Sequence, residues 1–264
     1  MNSIIKQINL RKVFTTSISI LLLICIWLIT ALVVDKEYLI PYPSSVVKSL
    51  FNLISQKNFL SIIQTTLTSC FISFFISFIL AMILAITSYI FPILEDVFKP
   101  IINILKAVPT ISILLVTLIW LPASKSPILV GSIILCPMMF SSFLTSLKGV
   151  DNKLIELSKL YNVSILDRIT KLYIPSILEP LFSQSKSCIS LSVKLTIAAE
   201  VLAHTMNSIG IQMQIAKTFL EMDTIFAWTI IAITLSLLLE GLISLIFTII
   251  KRRRSHEHRV KERN

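Results

Sequence analysis

The sequence predicts an all-α membrane protein with about six transmembrane helices. Three observations carry that reading: uncharged apolar windows long enough to cross a bilayer, basic residues gathered on alternate connections, and one polar, amphipathic island late in the chain. Of the 264 residues, 55% are hydrophobic and 14% charged, and the mean hydropathy is +0.87. Soluble domains carry about 25% charged residues. A span needs about 20 apolar residues to cross a hydrocarbon core of about 30 Å.

Residues 13–34 hold no charge and predict the first span. At about 22 residues, this segment exceeds the apolar stretch of a secretory signal, roughly 7–15 residues, and it has no small-x-small cleavage site. It reads as an uncleaved anchor. Between Lys57 and Glu95 lie 37 uncharged residues, which place the second span at about 65–89. The third and fourth spans, 101–122 and 126–147, are parted by Lys125. The fifth, 180–205, is apolar from Ser187 to Ala203 except for Lys194 and Glu200, and the sixth, 224–250, carries only Glu240. One membrane domain therefore runs over 13–250, flanked by an N-terminal segment, 1–12, and a basic tail, 251–264.

The net charge of +10 is distributed by side. Lys6, Arg11 and Lys12, the 148–171 region, and Lys251 to Arg254 with the tail to Arg263 hold most of it, whereas the alternate connections hold only Lys36, Lys48 and Lys57, then Lys125, then Lys217. Positive residues concentrate on the cytoplasmic side. Both termini and the 149–175 loop are therefore expected in the cytoplasm, as an even number of spans requires. This charge reports topology, so nucleic acid is not an expected partner.

Small features fit a packed bundle. Cys25, Cys70, Cys136 and Cys188 lack metal or disulfide spacing and read as apolar packing residues. His256 and His258 lack metal-ligand spacing. Only four glycines occur, so Ser69, Ser73 and Ser77, continued by Ala81 and Ala85, supply a small-residue stripe for close helix contact. Pro92 and Pro100 bracket an expected turn holding Glu95, Asp96 and Lys99, and Pro137 is expected to kink the fourth span. Trp27, Trp120 and Trp228 are expected as interfacial anchors.

The polar island reads as helix, sharp turn, helix. Asp151 can cap a first helix that places Leu154, Leu157 and Tyr161 on one face. Asn162 tolerates the left-handed conformation at its end. Ser164, with Asp167 three residues on, starts a second helix with Ile165, Leu166, Ile169 and Leu172 on its apolar face. Pro175 marks entry to the fifth span. Periodicity alone leaves two readings open, a surface helix on lipid headgroups or a docking element for a soluble partner.

Ionisable groups inside spans are costly and mark pathways or interhelix pairs. Lys194 and Glu200, six residues apart, are about 120° apart round a helix and do not pair. Glu200 and His204 share a face at i and i+4. Translocation lining, with Lys194 facing an anionic solute, and structural pairing both remain open for these three. Glu240 reads as a structural partner.

The segment Glu156-Leu-Ser-Lys-Leu-Tyr-Asn162 through Ile174-Pro175 resembles the EAA loop of binding-protein-dependent ABC importer permeases. Three further pieces resemble the nitrate/sulfonate/taurine subfamily: Leu39-Ile-Pro-Tyr-Pro43; Lys106-Ala-Val-Pro109; and Lys194-Leu-Thr-Ile-Ala-Ala-Glu200 with Asn207-Ser-Ile-Gly210 and Phe226-Ala-Trp228-Thr. The match runs from about residue 39 to 245. Leu157 and Ser158 stand where the family has alanines, and Asn162 where it has glycine, so the partner's groove must accept a bulkier side chain.

The resemblance implies a type I importer permease fold. It implies a second copy of the chain, cytoplasmic ABC ATPase subunits docked on the loop, and an extracytoplasmic binding protein, all at a bacterial inner membrane. Glu156, Leu157, Ser158, Tyr161, Asn162, Ile174 and Pro175 are the implied coupling residues. Lys194, Glu200 and His204 are candidates for the pathway. The chain holds no Gly-x4-Gly-Lys-Ser/Thr, so it is not expected to be an enzyme; it would carry no cofactor, and ATP with Mg would sit on the partner ATPase. The competing reading is an ion-gradient-driven transporter or channel, which has no use for a docked helix pair. An intramembrane enzyme finds no supporting nucleophile–base spacing.

Overall fold

A computed structural model describes the backbone of residues 2–261 and the side chains of residues 14–251. The basic side chains expected on 1–12 and on the tail past Lys251 lie outside the described residues. The described elements are α-helices, with one π-helical turn: α1 (Asn2–Val34), α2 (Pro43–Ile54), α3 (Phe59–Ile90), α4 (Pro92–Ala107), α5 (Thr110–Trp120), α6 (Ser126–Lys148), α7 (Asn152–Leu160), α8 (Ile165–Arg168), α9 (Ile174–Ala203), α10 (Ile209–Thr218) and α11 (Met222–Lys261). Among the described residues no strand occurs.

Among the described residues four helices are long and apolar enough to cross a membrane: α1 over Phe14–Val34, α3, α6, and α11 over Met222–Lys251. Counting α4 and α5 as one bent span makes five. The remaining expected span coincides with α9, which has the length, 30 residues, but carries Glu179, Lys186, Lys194 and Glu200.

Proline shapes the region where a third span is expected at 101–122. Pro92 occupies the first helical position of α4, where its missing N–H breaks no bond. The expected turn at 92–100 is therefore the first half of an amphipathic helix. Pro109 forces the residue before it out of the helical region, and Val108 is extended at ψ 128°. Helix α5 leaves this break at 96° to α4. Pro137, by contrast, lies buried inside α6, which continues through it.

The chain divides into two compact units. The smaller comprises residues 1–59 and 213–230. Trp27 stacks on Phe226 at 5.5 Å and donates its Nε1 hydrogen to the Pro41 carbonyl at 3.1 Å. Trp228, fully buried, stacks on Phe59 at 6.0 Å. Asp223, in the first turn of α11, accepts a hydrogen bond from Ser49. Two of the expected interfacial tryptophans thus pack in this unit, while Trp120, in the other unit, is 73% exposed.

The larger unit comprises residues 60–212 and 231–264. Helix α6 packs along α9 and also against α4 and α5. Ile113, Leu114, Val130 and Ala199 form the buried cluster where α5, α6 and α9 meet. The small-residue stripe of α3 is realised: Ser69, Ser73, Ser77, Ala81 and Ala85 are all buried. The Ser77 hydroxyl donates to the Ser132 carbonyl at 3.2 Å. A methyl group on Gly131 would stand 2.8 Å from the Ser73 Cβ, closer than carbon atoms pack. Gly131 is therefore what lets α3 and α6 approach. Gly131→Ala is expected to destabilise the chain by about 1–3 kcal/mol through overpacking, and Ser73→Gly in the same chain to restore most of it, read from thermal unfolding in detergent.

Candidate functional site

The polar island folds as its residues direct. The Asp151 carboxylate accepts the Lys153 N–H at 2.9 Å and caps α7. Helix α7 ends at Leu160, and two residues on Asn162 has a φ of 51°, in the left-handed region. The Val163 N–H then reaches back to the Ser158 carbonyl at 2.9 Å, and the Asn162 N–H to Lys159 at 3.0 Å. This is the closure that a left-handed residue allows and an ordinary residue resists. The Ser164 hydroxyl accepts the Asp167 N–H at 3.1 Å and donates to its carboxylate at 2.9 Å, starting α8.

The loop is apolar on its outside. Leu160, Tyr161, Ile165 and Leu166 are each more than 70% exposed, and Leu154 and Leu157 nearly half exposed. Glu156 is exposed beside them and Ser158 half-buried, its hydroxyl donating to the Ile155 carbonyl at 2.7 Å. Covering such side chains is favourable by about 1.5–3 kcal/mol each for a fully buried Leu or Ile.

Pro175 does not separate the loop from the next helix. Between Arg168 and Ile174 the chain makes a π turn, Ile169–Tyr173, with the Ile174 N–H bonded to the carbonyl of Ile169 five residues back. In an α-helix the Pro175 ring would clash with the carbonyl of Lys171. A π turn widens the helix by one residue and makes room for the ring. Helix runs unbroken from Ile165 to Ala203, so α8 and α9 form one rod. Ile174 and Pro175 lie within it, directly after the π turn. Tyr173, the last residue of that turn, ties the rod to α3 through a hydroxyl contact with Tyr89 at 3.1 Å.

The three pathway candidates part company. Glu200 is fully buried, Lys194 is exposed, and His204 is exposed past the end of α9. The expected Glu200–His204 face is not formed, because α9 stops at Ala203 and His204 turns left-handed, at φ 53°. Its Nδ1 lies 3.2 Å from the Leu202 carbonyl instead. Among the described residues Lys194 has no carboxylate partner. Lys186 and Glu240 lie 3.8 Å apart, so Glu240 is the structural partner that the sequence predicts.

Glu200 binds protein. One of its carboxylate oxygens, Oε2, accepts the Thr66 hydroxyl at 3.0 Å and the Gly210 N–H at 3.1 Å. The Thr66 hydroxyl in turn accepts the Ile209 N–H at 3.0 Å, and the Ser208 hydroxyl accepts that of Ile211 at 3.3 Å. The first three N–H groups of α10, which have no partner inside the helix, are thus each satisfied. A carboxylate is also the favoured charge at that end. Asn207 adopts φ 54° and donates to the Ser61 hydroxyl at 2.5 Å. A methyl group on Gly210 would lie 2.3 Å from the Glu200 Cβ and 2.6 Å from the Val201 nitrogen. Sequence patterns alone do not single out Thr66 or Ser61. The one signal for Thr66 is its place near the start of the stripe that continues through Ser69, Ser73 and Ser77.

Thermal unfolding in detergent reads the strength of these contacts. Glu200→Ala is expected to strand buried donors at about 1–3 kcal/mol each. Glu200→Gln should cost less, and Gly210→Ala more than Glu200→Gln, because backbone atoms block the methyl group. Asn162→Gly should be tolerated, whereas Asn162→Val forces a branched side chain into the left-handed region at about 1–2 kcal/mol.

The family model of the binding-protein-dependent transport system inner membrane component matches residues 77–256, which include α7, α8, α9 and the Glu200–Gly210 contact. No curated protein matches the chain's sequence. Among solved structures, the fold is similar to that of the MetNI methionine ABC transporter in an inward-facing conformation. The identity there is 15%, with 72% of this chain and 95% of that chain covered and a TM-score of 0.60. It is also similar to an amino acid ABC transporter solved with histidines, at 15% identity, 74% and 94% coverage and a TM-score of 0.58. The chain belongs to the family of binding-protein-dependent transport system inner membrane components and is the permease component of an ABC importer.

Proposed function

We propose that this permease forms the transmembrane pathway of an ATP-driven importer for a small solute, and that residues 149–175 pass the work of a partner ATPase into the membrane. The observation that carries this reading is the exposed apolar surface of α7 and α8, built on a rod continuous with α9. Leu157 and Tyr161 would seat in a groove on the ATPase, and Glu156 would make a charged contact at its edge. Ser158 and Asn162 would hold the turn. Because α8, the π turn and α9 are one continuous run of helix, a push on the loop would pass through Ile174 and Pro175 and tilt α9 rather than bend a hinge. The ATPase would hold ATP with Mg and supply the chemistry, and this chain would supply the lever.

The rest of the assembly follows from this reading. The basic residues of the loop and of both ends favour the cytoplasm for those segments. The spans about 13–34, 65–89, 101–122, 126–147, 180–205 and 224–250 would cross a bacterial inner membrane. A second copy of the chain would complete the path, and an extracytoplasmic binding protein would deliver solute. The nitrate/sulfonate/taurine resemblance favours nitrate, a sulfonate, taurine or a similar solute. His204, beyond the end of α9, would lie at the outer mouth, and Glu200 would hold α10 in place beside it.

Affinity purification of the chain from its native membrane in mild detergent is the direct test. An ABC ATPase is expected to co-purify, and Leu157→Asp or Glu156→Lys to release it while leaving the permease folded. Purification without an ATPase, with the loop variants unchanged, would sink the docking role.

A further inference from the structure

We propose that Lys194 and Lys106 are exposed together at mid-depth in the solute path and restrict it to solutes bearing a negative charge. The inference rests on the importer reading above and adds the residues that set its charge selectivity.

The exposed surface of α9 is unlike those of its neighbours. From Phe71 to Ile90 the exposed positions of α3 are Phe, Ile and Leu without exception, and from Ile233 to Ile249 those of α11 are mainly Ile and Leu. These faces suit lipid. Between Ser183 and Ala198 the exposed positions of α9 are Ser183, Lys186, Ser187, Lys194 and Ala198. A face of hydroxyls, a methyl group and cations does not suit hydrocarbon. Irregular or polar surface at membrane depth is tolerated where it lines a water-filled cavity or is buried in protein.

Depth can be measured along α6, 23 residues long, whose middle is residue 137. Helix α9 runs antiparallel to it. Ala199 packs in one cluster with Val130, and the Thr205 hydroxyl donates to the Ala123 carbonyl at 2.8 Å. Lys194, five residues nearer the loop than Ala199, is displaced by about 8 Å, which brings it level with the middle of α6. The Lys106 ammonium donates to the Ser141 hydroxyl at 2.6 Å, only about 6 Å past that middle. Lys106 is exposed and lies at the end of α4, just before the break at Val108 and Pro109. Broken helices at mid-depth are where transporters present backbone and charge to solute.

The carboxylates near this level are engaged. Glu200 is buried on Thr66 and Gly210, and Glu240 lies against Lys186. Lys106 meets a neutral hydroxyl, and Lys194 has no ion-pair partner among the described residues. Among the described residues, the exposed charges without a counter-charge at this depth are therefore both positive. A cleft lined by one sign of charge concentrates the opposite ion, and an oxyanion such as a carboxylate or sulfonate meets that requirement.

A cysteine reporter tests this whatever the solute is. In native membranes holding the full complex, Cys25, Cys70, Cys136 and Cys188 are replaced and Ala198→Cys is introduced one turn from Lys194. Modification of the introduced thiol by anionic sulfonatoethyl methanethiosulfonate and by the cationic trimethylammonium reagent is timed, each rate being divided by that with a free thiol. The anionic reagent is expected to be favoured about tenfold. Lys194→Gln with Lys106→Gln should bring the ratio to about one, and the paired Lys→Arg changes should keep it. A ratio near one in the parent, a ratio untouched by the Gln changes, or an unreactive introduced thiol with the ATPase still bound each overturns the charge filter alone. Absence of an ATPase from the unaltered chain overturns the importer reading instead.

Discussion

The contact between Glu200 and the start of α10 is the constraint on which one end of the larger unit depends. A carboxylate buried in a membrane helix is costly unless it is hydrogen-bonded, and here Thr66 and Gly210 supply two bonds, both to Oε2. The same bonds satisfy N–H groups that α10 could not satisfy alone. The lack of a side chain on Gly210 is what permits the approach. One carboxylate, one hydroxyl and one missing methyl group thereby join α3, α9 and α10 at a single point. The left-handed His204 and Asn207 are the backbone cost of turning the chain back within five residues.

At the opposite end of α9 a different solution joins the loop to the membrane. Pro175 would ordinarily end or kink a helix, yet the π turn absorbs it and the helical backbone continues. The consequence is mechanical: the exposed apolar helix α8 and the long helix packed on α6 are one body. Tyr89 and Tyr173 add a lateral tie from α3. The Glu200 contact at one end and the Tyr173 contact at the other hold α9 against α3, and the polar face between them stays open. A rod held at both ends moves as a unit, which is what the proposed coupling role would need.

Much of this was legible because the controlling effects are local. The capping of α7 by Asp151, the left-handed Asn162 and the start of α8 at Ser164 depend on residues two to five apart, and all three appear where the sequence predicts. The buried stripe of α3 follows from four-residue spacing. The Glu200–His204 face failed for the complementary reason. Its i, i+4 logic holds only inside a helix, and α9 ends at Ala203 so that α10 can fold back onto Glu200. No local pattern announces that ending, since the contact that fixes it reaches across to Thr66.

By itself, the sequence determined an all-helical, multi-span protein with a capped helical loop and a charge bias, because hydrophobic length, helix caps and side-chain periodicity act within a few residues. The tertiary structure decided which polar groups in the spans are consumed and which remain open. It buried Glu200 as a helix cap, left Lys194 on an exposed face without a carboxylate partner among the described residues, bent α4 and α5 apart at Pro109, and fused the loop to α9 through the π turn. Each of these depends on which atoms meet from helices distant in sequence, or on whether a helix can widen around a proline ring. Side-chain spacing along one helix cannot specify either.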